Sequence, residues 1–210
     1  MPRVSTAFKE DRRTEILEAA RRCVARSGFH QTSMQDICTE AGMSPGNLYR
    51  YFPSKEAIIA AIAERDRAEV GAELGAAQSA DDFFATFEAL ARHHLVERNA
   101  DDVGLCTEMV AESRRNPAIA KTMQDFDKEV RAHLVAMLQA AAQRGDIRAD
   151  VDFDAVVTML MIMADGVWWR RAVEPNFNAE EVLPLFMELT QKMLMGGGAF
   201  DKKKTGGSQS

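Results

Sequence analysis

Ser44 and Pro45 read as the N-cap and first-turn proline of a short helix, and such a start presents unpaired backbone amides whose dipole favours phosphate. Gly46 removes a side chain where the backbone would have to approach a ligand closely. Asn47 carries a donor and an acceptor in the arrangement that pairs with an adenine edge, and Gln35, on the helix before, offers the same amide chemistry. Thr32 and Ser33 add hydroxyls that can donate to phosphate, and Arg50 supplies a cation that either reaches phosphate or stays solvated. This is the chemistry of holding nucleic acid rather than of making bonds. No Gly-rich phosphate loop, nucleophile elbow or carboxylate pair in a catalytic context occurs along the chain, so neither an enzyme nor a cofactor is expected.

These residues need short, rigid elements to present them, and the hydrophobic periodicity supplies helices throughout, with no clean apolar alternation to suggest sheet. A first helix is expected at about 9–27, with Ile16, Leu17, Ala20, Cys23 and Val24 on one face and arginines and glutamates opposite; Gly28 stops it. A very short second helix opens at Thr32, with Gln35 reaching back as in a capping box, and carries Met34, Ile37, Cys38 and Ala41 as its apolar stripe. Gly42 turns the chain, the third helix runs from Ser44 to Phe52-Pro53, and Ser54 caps a fourth that passes Ile58, Ile59, Ile62 and Val70 toward Gly75. Three short helices within 65 residues have the proportions of a helix-turn-helix unit, a support helix followed by a recognition helix for the DNA major groove. The same proportions also fit a helical hairpin that merely packs.

The residues themselves add a resemblance. Gly28-Phe29-His30-Gln31-Thr32-Ser33-Met34-Gln35-Asp36-Ile37, then Ala41 through Phe52, then Ser54-Lys55-Glu56, resembles the DNA-binding domain of TetR-family transcriptional regulators, from about residue 12 to 60 and without insertion. The resemblance implies sugar-phosphate contacts by Tyr49, Tyr51 and Lys55, a C-terminal domain that binds a small molecule and dimerises, and double-stranded operator DNA as partner. Ala164-Asp165-Gly166-Val167-Trp168 is similar to the first dimerisation helix of a common subgroup. Leu48, Ile37, Met34 and Phe52 are expected in the core, because so small a unit needs every apolar side chain it has.

The charge distribution agrees with two parts meeting different partners. Residues 1–65 hold ten Lys and Arg against eight Asp and Glu, a balance of plus two, which leaves minus eight for residues 66–210 out of a total of minus six. Three cysteines in an odd set without metal spacing suit a reducing compartment, no apolar region follows the N-terminal charges, and no run is long enough to span a bilayer. A cytoplasmic protein with no membrane association is expected.

Later helices are expected at about 81–98, 102–114, 117–144, 152–173 and 178–195, about nine in all, with Pro184 predicting a kink or a later start in the last. The organisation expected is a DNA-binding domain at 1–53, a regulatory domain at 54–195 and a disordered tail at 196–210. Nine of the twelve methionines fall between Met109 and Met195. Together with aromatic residues they suggest an adaptable pocket for an apolar or aromatic effector, involving Phe87, His94, Cys106, Met109, Met123, Phe126, Met137, Met163 and Trp168, though each methionine alone reads better as core. Val156, Val157, Leu160, Val167, Phe186, Leu189 and Met193 are the expected homodimer surface. His93 and Glu97, four apart, share a helix face but lack a fixed third ligand, so no metal site is assigned. The expectation is a ligand-responsive repressor on a palindromic operator; the alternative is a helical ligand-binding or interaction protein whose N-terminal unit no longer reads DNA.

Overall fold

The computed structural model describes residues 6–196 and 198–201. Among the described residues, nine α-helices follow one another: α1 Thr6–Ser27, α2 Met34–Glu40, α3 Pro45–Tyr51, α4 Lys55–Ala77, α5 Phe83–Arg92, α6 Ala100–Ser113, α7 Pro117–Arg144, α8 Phe153–Val173 and α9 Ala179–Met195. One π-helical turn, His93–Glu97, directly follows α5, so the expected 81–98 helix is two kinds of helix in succession. The extended pairing described is an isolated bridge between Val151 and Asp201.

The helix ends obey local chemistry. Side-chain oxygens of Asp82, Asn99, Asp152 and Asn178 accept from first-turn amides, and Gly28, Gly42 and Gly145 take positive φ where helices stop. α6 begins two residues before the expected position because Asn99 caps it, accepting from the Asp102 amide at 2.9 Å. α9 has no later start: it continues through Pro184, and the Glu180 carbonyl that loses its donor lies at an exposed residue, where solvent can satisfy it.

The chain divides into two compact units, one formed by residues up to Glu69 with Arg98–Lys128, the other by Val70–Glu97 with the chain from Glu129 onward. The expected boundary at residue 53 is therefore not where the packing divides. The reason lies in the first unit's core. Ile16, Leu17, Ala20, Cys23 and Val24 of α1 meet Ile37, Cys38, Leu48 and Phe52, but closure also takes Ile58, Ile59 and Ile62 of α4, Leu105 and Met109 of α6 and Ile119 of α7. Gly104 lets α6 press onto α1: a Cβ there would stand 3.1 Å from the Ala25 Cβ. Arg21, 5% exposed, donates to Asp102 at 2.6 Å and to Asp66 at 2.8 Å, tying α1 to α6 and α4 through one buried cation.

In the second unit Phe87 stacks between Phe83 and Phe186, with ring centroids 5.8 and 6.3 Å away, and Met137, Leu138, Val156, Val157, Leu160, Leu183 and Leu194 are buried. The segment expected to be a disordered tail is fastened as far as it is described. The Asp152 amide donates to the Phe200 carbonyl at 2.7 Å and Arg148 pairs with Asp201 at 2.8 Å; the rest of that expectation, residues 197 and 202–210, lies outside the described residues.

Candidate nucleic-acid interface

α2 and α3 are seven residues each, joined by a turn that their own backbone dictates. The Met43 amide donates to the Cys38 carbonyl at 2.9 Å and the Gly42 amide to Thr39 at 3.2 Å, with Gly42 at φ +63°, a Schellman closure that glycine suits. The capping box is displaced by one residue from the expected Thr32 and Gln35. Ser33 accepts from the Asp36 amide at 3.1 Å, and the Asp36 carboxylate accepts from the Ser33 amide at 2.8 Å and hydroxyl at 2.7 Å. These bonds hold the Asp36 carboxyl below the usual carboxylate range. Thr32 is buried, and its hydroxyl donates instead to the Gly28 carbonyl at 2.8 Å; it is withdrawn from any phosphate.

Gln35, Ser44, Pro45, Gly46, Tyr49 and Arg50 are exposed together on α2 and α3, while Leu48 beneath them is fully buried. A Cβ at Gly46 would meet nothing within 4 Å, so nothing inside the chain requires glycine there. Tyr49 is 53% exposed. Asn47 is half-buried, and Tyr51 packs part of its ring on the core. Ser44 precedes α3 in extended conformation without a side-chain cap bond, its hydroxyl pointing to no first-turn amide.

Lys55 is the largest departure from expectation. Its ammonium donates to the carbonyls of Phe29 and, at 2.6 Å, of Thr32, and lies 4.1 Å from the centre of the Phe29 ring. Burial pushes its pKa down. Two of the three N–H bonds of an ammonium are thus committed to holding the α1–α2 loop against α4, leaving one for a phosphate.

Sequence reasoning missed the polar seam between that loop and α6. Glu108 accepts from the Phe29 amide at 3.1 Å, and Glu112 lies 2.8 Å from His30 Nε2 and 2.7 Å from Arg115 Nε. Burial alone would raise the Glu112 carboxyl, but its hydrogen bond with Arg115 and the charges of His30 and Arg115 hold it below the usual range. Single acidic residues on a helix that also carries Asp101 and Asp102 give no signal of such a partner in the sequence.

The expected effector residues are divided between the two units. Met109 and Met123 belong to the first unit's core or pack on it, Phe87 and Met137 are buried in the second, and His94, Cys106, Phe126, Met163 and Trp168 are half-buried. Met109, Phe87 and Met137 are thereby used as core. Phe126 lines a cleft of about 170 Å³ with Ala63, Arg67, Thr122 and Asp125. An open groove of about 600 Å³ lies at the α8–α9 connection, residues 173–182, and includes none of the nine.

The expected dimer surface needs correction. Val156, Val157, Leu160, Val167 and Phe186 are at most 7% exposed, because they pack inside their own chain. Leu189 is exposed and Met193 half-buried. The apolar side chains that do face outward are Met159, Ile162, Trp169 and Val173 on α8 and Leu185, Leu189 and Met195 on α9. No described helix is long and apolar enough to cross a membrane.

Comparison with known proteins extends these observations across the chain. Residues 16–62 match the model of bacterial regulatory proteins of the tetR family, and residues 85–195 match the BetI-type transcriptional repressor C-terminal domain. The chain is 31% identical over 159 residues to the HTH-type transcriptional regulator UidR of Escherichia coli K12, covering 74% of this chain and 79% of that one. It is also 31% identical over 192 residues to the HTH-type transcriptional repressor AcnR of Corynebacterium diphtheriae, covering 90% and 96%. Salmonella enterica GusR superposes with a TM-score of 0.78 at 29% identity, over 92% of this chain and 99% of its own. Matched at its helix-turn-helix and through its C-terminal helices alike, and aligned with relatives along most of their length, the chain belongs to the tetR family of transcriptional regulators.

Proposed function

We propose that the protein acts in the cytoplasm as a homodimeric repressor that holds a palindromic operator and releases it when an apolar or aromatic small molecule binds the C-terminal helices. The observation that carries the DNA half is the surface of α2 and α3: Gln35, Ser44, Gly46, Tyr49 and Arg50 stand out from a unit whose core is otherwise closed. Gln35 and Asn47 are the base readers in this reading. Tyr49, Tyr51, Arg50 and the remaining N–H of Lys55 anchor phosphates, which sets register and supplies the salt-dependent part of the affinity, whereas the amide and hydroxyl of Ser33 are both committed to Asp36.

A twofold dimer sets two recognition helices about 34–36 Å apart, one turn of DNA, or a multiple of it. The outward stripe of α8 and α9 is the pairing face. An effector that prefers a conformation with the wrong spacing lowers operator affinity by its differential affinity for the two states. The apolar character of the effector rests on the half-buried Met163 and Trp168 of the second unit, and on the negative balance beyond residue 65, which disfavours anions at long range.

Selection of bound genomic fragments followed by footprinting is the test. Two protected half-sites related by a dyad, bound with a steep salt slope and released by lipophilic compounds over the range that saturates quenching of Trp168 and Trp169, are expected. A folded protein that binds no fragment would overturn the DNA reading and leave a ligand-binding protein. Release by a hydrophilic anion alone would overturn the effector class.

A further inference from the structure

α4 and the π-helical turn bring two adjacent histidines together with a glutamate twenty residues earlier in the sequence. Consecutive residues of an α-helix diverge by about 100°, so neighbouring histidines there do not share a target. In the π turn His93 and His94 both face Glu73 of α4: His94 Nε2 lies 2.7 Å from Glu73 Oε2 and His93 Nε2 3.7 Å from Oε1. One ligand atom from each of the three lies within 4.8 Å of the others, and all three residues are half-buried. π turns inside helices recur at functional sites. All of these residues belong to the second unit.

We propose that Glu73, His93 and His94 form a site for a first-row divalent transition-metal ion such as zinc. Bonds of about 2.0–2.1 Å in a tetrahedral shell place donor atoms roughly 3.3 Å apart, and the two carboxylate–imidazole separations, 2.7 and 3.7 Å, fall on either side of that spacing. Three protein ligands leave a further position for water or a small anionic ligand. Two imidazoles and one carboxylate select a borderline cation over calcium or magnesium, which prefer all-oxygen shells. The outer partner is also present: Glu97 Oε2 lies 3.3 Å from His93 Nδ1, where it can accept that nitrogen's proton in a hydrogen bond and leave Nε2 as the ligand. The two carboxylates bring the local charge to that of a divalent counterion. A bound ion would fasten α4 to the turn after α5. This inference stands apart from the operator reading, and its test uses no DNA.

Cobalt(II) is the probe, titrated into the untagged full-length protein with visible absorption and equilibrium dialysis as readouts. One equivalent per chain, with the intense d–d bands of four- or five-coordination and no thiolate charge-transfer band, is expected, and zinc should displace it. Glu73→Gln and His94→Ala should each weaken uptake more than a hundredfold. Glu97→Gln touches only the outer partner and should weaken it about ten- to a hundredfold while leaving the bands in place; it keeps the test decisive if His94→Ala fails to fold. Absence of uptake by the folded chain, or uptake unchanged in Glu73→Gln, would overturn the site.

Discussion

The two compact units solve opposite problems with the same helical material. The first closes its core with α1–α4, α6 and the start of α7 and then binds itself with polar chemistry: Arg21 to two aspartates, Lys55 to two carbonyls, Glu112 to His30 and Arg115. Its outward residues on α2 and α3 are chiefly polar. The second unit leaves Ile162, Trp169 and Val173 of α8 and Leu185 and Leu189 of α9 in solvent. A unit that must meet a polyanion presents hydrogen-bonding groups on a rigid frame, whereas the unit proposed to pair with its own copy presents apolar area and keeps a second apolar face for its interior.

That contrast can be broken most decisively at the pairing face. Ile162→Glu combined with Leu189→Glu should weaken dimerisation about a thousandfold, roughly 4 kcal/mol, in sedimentation equilibrium, with helical circular dichroism retained. Leu160→Glu, two residues away but buried, should instead unfold the second unit. A folded dimer in the double variant would place the interface elsewhere.

The next largest effect falls in the first unit. Arg21→Ala removes the hydrogen-bonded cation of the buried Asp102, leaving only Arg98 at 3.9 Å, and should cost about 3 kcal/mol in urea unfolding. If the variant lost less than 1 kcal/mol, the polar ties would be incidental to that unit's rigidity.

Lys55→Met separates frame from interface. Loss of its two charged hydrogen bonds should cost about 2 kcal/mol of stability, and DNA affinity should fall equally for operator and random sequence, with the salt slope reduced by about one. An unchanged slope would confine Lys55 to its structural bonds.

How much of this was legible follows the same division. Helix stops at Gly28, Gly42 and Gly145 and starts at Asp152 and Asn178 were readable because the chemistry of a cap is local. Ser33 and Thr32 are equally competent caps by type, and the choice was made by the Gly28 carbonyl, which takes the Thr32 hydroxyl. Lys55 and Glu73 find their partners across the fold, and nothing in their neighbourhood in sequence announces them. The expected dimer residues went astray for a different reason: α8 is apolar around most of its circumference, so periodicity cannot distinguish Leu160, which turns inward, from Ile162, which turns out.

Two smaller tests refine the interface itself. Tyr49→Phe removes only a hydroxyl from an exposed ring and should weaken operator binding about three- to tenfold without changing the urea midpoint. The Asp36 capping box should respond to acid. Its carboxyl is held below its unfolded value, so its contribution is present above the ordinary aspartate pKa and is lost as pH falls through the lower, folded one. Amide exchange at Ser33 and Asp36 should therefore accelerate in that window, and protection unchanged below it would show that the box does not hold α2.

The short return of residues 198–201 has a practical meaning for handling the protein. Asp201 is held by Arg148 and by the Gly198 amide, and the Phe200 carbonyl takes the amide of Asp152, the residue that caps α8. A fusion partner joined upstream of Asp201 would remove the latch at the head of α8, whereas one joined beyond it would leave the latch intact, which makes that residue the natural limit for trimming or labelling the chain.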